Sequence, residues 1–180
     1  MAVNFLTDLL YIPIHFLMRV ILNGTLAVVL ADQARRLLPP GTVGVLEGAG
    51  EMATVRPQPD RWSIVEYAAH LRDVLISLRE RIITAAVVDT PTGTPIFRDD
   101  RVNLGFYSLD SVDDAADELA FAAGIFSKAV ASLPDGFADR ELYFSPGMPA
   151  TTTIRWVAAQ AFHEASHHLL DVQDNARMLA

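Results

Sequence analysis

The fold of this chain is constrained most by one long helical signal in the middle of the sequence. Ser63 and Glu66 have the spacing of a capping box, in which the serine hydroxyl accepts from a free backbone amide and the glutamate reaches back. From Ser63 to about Ala85, apolar residues recur at intervals of three and four, which is typical of a helix with one wide buried face. These residues are Ile64, Tyr67, Ala68, Leu71, Val74, Leu75, Leu78 and Ile82. His70 lies on the flank of this predicted face.

Cap and stop signals predict further helices on both sides of this segment. A short helix is predicted over 31–38, with a continuation over 42–47 after a Pro-Pro-Gly break. Another helix opens at Asp110 and Ser111, carries carboxylates in its first turns, and ends at the Pro-Asp-Gly turn over 134–136. The threonines at 151–153 can cap a last helix.

The segments between these helices are rich in proline and glycine. We expect irregular connections over 56–61, 89–103 and 145–149, and a short extended piece at Tyr143 and Phe144. No segment has the alternation that is typical of a strand. The sequence therefore predicts an all-α fold, a four-helix bundle with long crossover loops and an extra apolar N-terminal segment.

The N-terminal segment is apolar from Leu9 to Leu30, which is long enough to span a bilayer. Arg19 lies within this run, and an arginine inside a span is costly to insert. Asp8 is the only charged side chain before the run, whereas a secretory signal begins with a positive segment. We therefore expect residues 1–25 to be an extension of the domain, with membrane association through residues 5–30 as the alternative.

Length, charge and cysteine content limit the function further. With 180 residues, the chain is long enough for one domain, which we place at 26–180. A net charge of −8 argues against nucleic-acid binding, because such proteins need basic surface to neutralise phosphates. The chain has no cysteine, which excludes disulfides, thiolate metal ligands and a cysteine nucleophile. We expect a cytoplasmic protein that acts on small molecules, with a homodimer as one form of assembly.

The histidines are concentrated in the last predicted helix. His163 and His167 are four residues apart, so a helix would place both imidazoles on one face, as divalent metal sites require. A third ligand could come from His15, His70, His168 or a carboxylate. We favour His70, because metal sites in bundles are assembled from facing helices. His168 is rotated about 100° from its neighbour and is expected to pack or to border the pocket.

The same residues also match a short peptidase pattern. His163-Glu164-x-x-His167 satisfies the H-E-x-x-H motif, in which the glutamate acts as general base. Zinc peptidases of this type take a third ligand downstream, and here only Asp171 and Asp174 offer carboxylates. The bare motif is short enough to occur by chance, so we do not favour this interpretation.

Two separated motifs together resemble a known family. They are Pro59-Asp60-Arg61-Trp62-Ser63 with Glu66-x-x-x-His70, and His163-Glu164-x-x-His167-His168-Leu169-x-Asp171, about ninety residues further on. Over roughly residues 31–176, the chain resembles the DinB-like metalloenzyme superfamily, which includes thiol-dependent transferases and maleylpyruvate isomerases. The resemblance implies a four-helix bundle with a divalent metal on three histidines, and the ligand chemistry of imidazole favours zinc, with nickel or iron as alternatives. The three histidines map onto His70, His163 and His167.

The expected function follows from this resemblance and from metal chemistry. A divalent cation on neutral imidazoles lowers the pKa of a bound water or thiol. The resemblance implies a small cellular thiol as cosubstrate, which would attack a small electrophile in a transferase or isomerase reaction. Glu164 and Asp171 are candidate catalytic-site carboxylates that would orient an imidazole through its other nitrogen. The alternatives are a metal-dependent hydrolase and a non-catalytic metal-binding protein related to stress.

Overall fold

A computed structural model describes residues 52–179 of the chain. The predicted helix over 31–38, its continuation over 42–47, His15 and the N-terminal extension lie outside the described residues.

Four α-helices account for most of the described chain. They are α1 (Ile64–Val87), α2 (Arg98–Asn103), α3 (Val112–Ala131) and α4 (Ile154–Leu179). Two short strands, β1 (Glu141–Leu142) and β2 (Thr152–Thr153), pair antiparallel just before α4. Two 3-10 turns, Met52–Thr54 and Phe137–Asp139, complete the regular structure of this part.

Helix α1 begins at the predicted capping box. Ser63 Oγ accepts from the Glu66 backbone amide at 3.1 Å, and Glu66 Oε2 accepts from the Ser63 amide at 2.7 Å. Arg56, which lies outside the helix, donates to both carboxylate oxygens of Glu66 and so stabilises the capping box. At the other end, Arg140 Nε donates to the carbonyl oxygen of Ala85 at 2.7 Å, as a cation near a helix C-terminus should. The prediction for this helix is confirmed.

Helix α3 also starts as its sequence predicts. Ser111 Oγ accepts from the Asp114 amide at 3.1 Å, and the Asp114 carboxylate reaches back to the Ser111 amide. Asp113 and Asp114 lie in the first turn, where carboxylates stabilise the positive end of the helix dipole.

The main core forms where α1 packs against α3 and α4. Leu75 and Ile82 of α1, Phe126 of α3 and Ile154 of α4 are all fully buried in it. Leu142 of β1 is buried in the same cluster, so the small hairpin covers one end of the core. Because α1 contacts both other long helices, it is the central helix of the described bundle.

Two predictions for the connections were wrong in detail. The segment 89–103 is not wholly irregular, since its last six residues form α2, which is held to the bundle by the buried side chain of Val102. Extended structure lies at 141–142 instead of 143–144, although Tyr143 makes one parallel bridge to Thr92. Elements this short lack the repeats on which periodicity arguments depend.

Within residues 52–179, no helix combines the length and the hydropathy that crossing a membrane would need.

Replacing Ser63 with alanine tests the capping box. Ser63 is buried, so its removal leaves an amide without its partner, and we expect the free energy of unfolding to fall by about 1 kcal/mol. Urea denaturation measures this loss. Ser111→Ala, in the exposed box of α3, is the comparison variant and should cost no more than Ser63→Ala. An unchanged unfolding midpoint for Ser63→Ala would contradict the role of the box.

Candidate metal centre

Helix α4 buries one narrow stripe of side chains against the rest of the bundle. The buried positions follow the helical repeat, at separations of three, four or seven residues with Val157 and Ala158 adjacent: Ile154, Val157, Ala158, Ala161, Ala165, His168 and Asn175. His168 is in phase with this stripe and only 6% exposed. His163 and His167 are out of phase with it, and both are exposed.

Three potential metal ligands meet where this stripe faces α1. His70 of α1 is 2% exposed, and its ring centroid lies 5.0 Å from that of His168 in a perpendicular arrangement. Glu164 is one turn before His168 on the same face, with Oε2 at 3.5 Å from His168 Nε2. One ligand atom from each of these three residues lies within 4.8 Å of the others.

The structure does not bring His163 and His167 to His70. The two rings stack on each other at 6.1 Å between centroids, as the spacing of four residues predicts, but on the exposed side of α4. His163 belongs to none of the metal-ligand clusters among the described residues, and His167 clusters only with His168 and Asp171. The predicted set of His70, His163 and His167 is therefore not assembled. One step along a helix rotates a side chain by about 100°, and it is His168 that the rotation brings to α1.

Asp171 fixes the orientation of the buried imidazole. Its Oδ2 lies 3.1 Å from His168 Nδ1, and 3.7 Å from His167 Nε2. Arg61 approaches the other carboxylate oxygen at 3.7 Å. A carboxylate on one imidazole nitrogen selects the tautomer whose other nitrogen is free to bind a metal. Asp171, which was predicted from the sequence to orient an imidazole, thus contacts His168.

Aromatic rings form a wall beside the cluster. The Trp62 ring lies 5.1 Å from His70 and 6.5 Å from His168, and the Tyr67 ring lies 5.5 Å from His168. The fully buried Asn175 donates from Nδ2 to the Trp62 carbonyl oxygen at 2.6 Å. This bond ties the end of α4 to the segment that precedes α1.

The charges of the cluster suit a cation. Burial, together with the neighbouring His168, lowers the pKa of His70 to about 4, so its imidazole is neutral at pH 7. Contact with His168 is the main reason that the pKa of Glu164 falls to about 2, which keeps this carboxylate ionised. Buried His70 Nδ1 has no hydrogen-bond partner among the described residues. A neutral imidazole with an unpaired nitrogen beside an ionised carboxylate fits the requirements of a divalent metal.

A polar network anchors α2 and the following loop next to His70. Asp73, one turn after His70, accepts from Tyr107 Oη at 3.0 Å and from Arg72 Nε at 3.0 Å. Arg101 of α2 forms an ion pair with the same carboxylate. Asp73 is thus engaged by several donors and is not available to the histidine cluster.

The sequence did not predict that His168 joins His70 and Glu164 in the buried cluster. It also did not predict that Asn175 ties the end of α4 to Trp62 beside this cluster. The signal for His168 was present, because Glu164 and His168 have the same spacing as His163 and His167, one residue further along. To choose between these two pairs, one must know which face of α4 is buried. The small apolar residues Ala161 and Ala165 mark that face, and His168 lies on it. A buried asparagine at the end of α4 has no comparable signal in the sequence.

Replacing Asn175 with alanine tests the link between α4 and Trp62. The Trp62 carbonyl would lose its buried donor, and we expect a loss of about 1–3 kcal/mol in the free energy of unfolding. Asp174→Ala is the matched control, because the contact of Asp174 in the described structure is an exposed pair with Arg177, and it should change stability by less than about 0.5 kcal/mol. Equal effects of the two changes in urea denaturation would contradict the assignment.

Comparison with known proteins agrees with this architecture. YfiT from Bacillus subtilis, described as "a probable metal-dependent hydrolase with an unusual four-helix bundle topology", superposes with a TM-score of 0.68, at 16% identity and with 85% of each chain covered. This likeness and the four described helices confirm the predicted four-helix-bundle class. No curated protein sequence matches the chain. The profile of the DinB superfamily matches residues 42–172, and the chain therefore belongs to that superfamily.

Proposed function

We propose that this protein is a metal-dependent enzyme whose divalent cation is held by His70, Glu164 and His168. The observation that carries the proposal is the convergence of these three side chains from two helices, with ligand atoms within 4.8 Å of one another. Membership of the DinB superfamily and the description of YfiT support the same kind of centre.

Two imidazoles and one carboxylate are a suitable set for catalysis. Such sets hold zinc in hydrolases and iron in oxygenases, and in each case they leave coordination positions for water or substrate. Zinc is our first choice, with nickel and iron as alternatives. When bound, the cation would supply a Lewis acid that lowers the pKa of a coordinated water or small thiol. The Glu164 carboxylate cancels part of the cation's charge, so this effect is weaker than it would be with three neutral imidazoles.

Asp171, Trp62 and Tyr67 orient and cover the histidine rings that would bind the metal. Asp171 holds His168 through Nδ1, which leaves Nε2 directed towards Glu164. Trp62 and Tyr67 cover one side of the rings and keep water from that side. Because His70 is neutral at pH 7, no proton has to leave this ring before a metal binds.

For the reaction, we infer transfer or isomerisation that uses a small thiol, with a small electrophile as the second substrate. The resemblance to thiol-dependent members of the superfamily supports this choice. Hydrolysis is the second candidate, and the description of YfiT favours it. A centre that binds a metal without catalysis is the third.

Metal analysis of purified variants tests the ligand set. We expect about one equivalent of zinc, nickel or iron in the wild type, and most of it to be lost in His70→Ala, in His168→Ala and in Glu164→Gln. His163→Ala is the matched control, since it changes an exposed histidine on the same helix, and it should keep its metal. Elemental analysis with circular dichroism separates metal loss from unfolding.

The same experiment distinguishes the two ligand sets. Loss of metal in His163→Ala, with retention in His168→Ala, would overturn the proposed centre and restore the set of His70, His163 and His167. A wild-type protein without stoichiometric metal would contradict every metal-dependent function.

Activity measurements separate the two reaction classes. We expect metal-loaded protein to consume electrophiles such as maleyl compounds or epoxides only when a small thiol is present, and Glu164→Gln to lower the rate at least about tenfold. Turnover of esters or lactones without thiol, lost in the same variant, would instead establish hydrolysis. Equal rates for the wild type and Glu164→Gln would exclude catalysis at this centre.

A further inference from the structure

A buried arginine lies on α1 well away from the histidine cluster. Arg81 follows His70 by eleven residues, which corresponds to about 16 Å along a helix axis. It is only 7% exposed, although arginine is rarely buried unless it is paired.

Arg81 also differs from the other arginines in its partners. Between residues 52 and 179, it is the one arginine that contacts no carboxylate. The arginines that do so are Arg56, Arg61, Arg72, Arg79, Arg98, Arg101, Arg140, Arg155 and Arg177. A buried cation without a counter-ion is destabilising, and burial is the reason that the pKa of Arg81 falls. The most buried guanidinium in this part of the chain is thus the one without an anion.

The surrounding structure holds this guanidinium in a fixed position. Its central carbon lies 4.3 Å from the ring centroid of Phe144, and Nη2 donates to the Thr94 carbonyl oxygen at 2.6 Å. Gly93 approaches so closely that an added Cβ would lie 2.5 Å from Arg81 Nε. Nε itself is buried and has no hydrogen-bond partner among the described residues. A planar cation held on one face and one edge is preorganised for a ligand on its remaining edge.

A cleft of about 440 Å³ opens beside this arginine. Its walls come from α1, from the loop over 91–96, from Arg101 of α2 and from Leu142, and they include the hydrocarbon of Ile76, Pro95 and Ile96. The volume and the apolar walls suit a small organic molecule.

The other charged groups of the cleft already have partners. Asp73 is bound by Arg101 and Arg72, and Glu80 is paired with Arg79. Arg81 is therefore the unbalanced charge of this cleft. One unbalanced positive charge favours a ligand with one negative charge over a dianion such as hydrogen phosphate.

We propose that the Arg81 cleft is a second binding site, which takes the carboxylate of a small organic acid on the guanidinium and its apolar part against Ile76 and Ile96. Arginine binds carboxylates in a planar geometry with two parallel hydrogen bonds. The bound anion supplies the missing counter-ion, and the apolar walls exclude water from the pair. Arg81 itself lies about three helical turns from His70, so a carboxylate on its guanidinium does not contact the proposed metal ligands.

Titration with benzoate tests this site, with the neutral isostere benzamide as the reference ligand. At constant ionic strength, we expect benzoate to bind with a Kd of about 1 mM and benzamide at least about tenfold more weakly. Nuclear magnetic resonance shifts or calorimetry give both constants. Equal affinities for the two compounds, or no saturable binding of benzoate, would overturn the proposal.

Substitutions then assign the site to Arg81. Arg81→Gln removes the charge and should weaken benzoate binding at least about tenfold. Arg155→Gln is the matched control, since Arg155 pairs with Asp139 outside the cleft, and it should change the Kd less than about twofold. Ser77→Phe fills the cleft while Arg81 stays, so it should abolish binding even if Arg81→Gln does not fold. Unchanged binding in folded Arg81→Gln, or in Ser77→Phe, would contradict the assignment.

Two more titrations distinguish the Arg81 cleft from the histidine cluster, and carboxylates from phosphate. His168→Ala, which removes a proposed metal ligand, should keep the affinity for benzoate; its loss there would mean that benzoate binds at the histidine cluster. Inorganic phosphate should compete at least about tenfold more weakly than benzoate, and equal competition would overturn the assignment of carboxylates as the ligand class.

Discussion

The packing of α1 against both α3 and α4 is the constraint on which the rest of the described structure depends. Leu75, Leu78 and Ile82 are completely or almost completely buried between the other long helices. Residues on a single rigid helix keep fixed separations, so the same packing that forms the core also sets the positions of His70 and Arg81. His70 and His168 lie on these two helices, so the same packing sets the distance between them.

Polar groups are buried at two places along α1, and each needs a partner that hydrocarbon cannot supply. At one end, His70 meets His168, and the carboxylate of Glu164 supplies negative charge. Three turns further on, Arg81 has an aromatic face and one carbonyl oxygen, but no anion in the described part of the chain. Burial of unpaired polar groups costs stability, which is why we assign ligands to both places.

Much of the fold could be predicted because its signals are local. The capping box at Ser63 needs only residues three positions apart, the start at Ser111 needs only a capping serine and the carboxylates after it, and both helices begin where they were expected. The short helix α2 escaped prediction because six residues provide too few repeats, and contacts of Val102 with the bundle hold it in place. For the candidate site, His70 lies in the buried cluster and His163 and His167 lie on the exposed side of α4, where His168 and Glu164 instead face His70; which of these histidines bind a metal stays a prediction.

By itself, the sequence determined the three long described helices, the serine caps of α1 and α3, and the concentration of imidazoles and carboxylates in the last helix, because these depend on neighbours within a turn or two. Only the tertiary structure decided that His168 with Glu164, instead of His163 with His167, faces α1. That choice depends on the rotation of α4 in the bundle, which is set by burial of Ile154, Ala161 and Ala165 and not by the histidines. The lack of a carboxylate partner for Arg81 among the described residues is also decided by the tertiary structure, because the packing of the helices and loops sets the distance from Arg81 to each carboxylate.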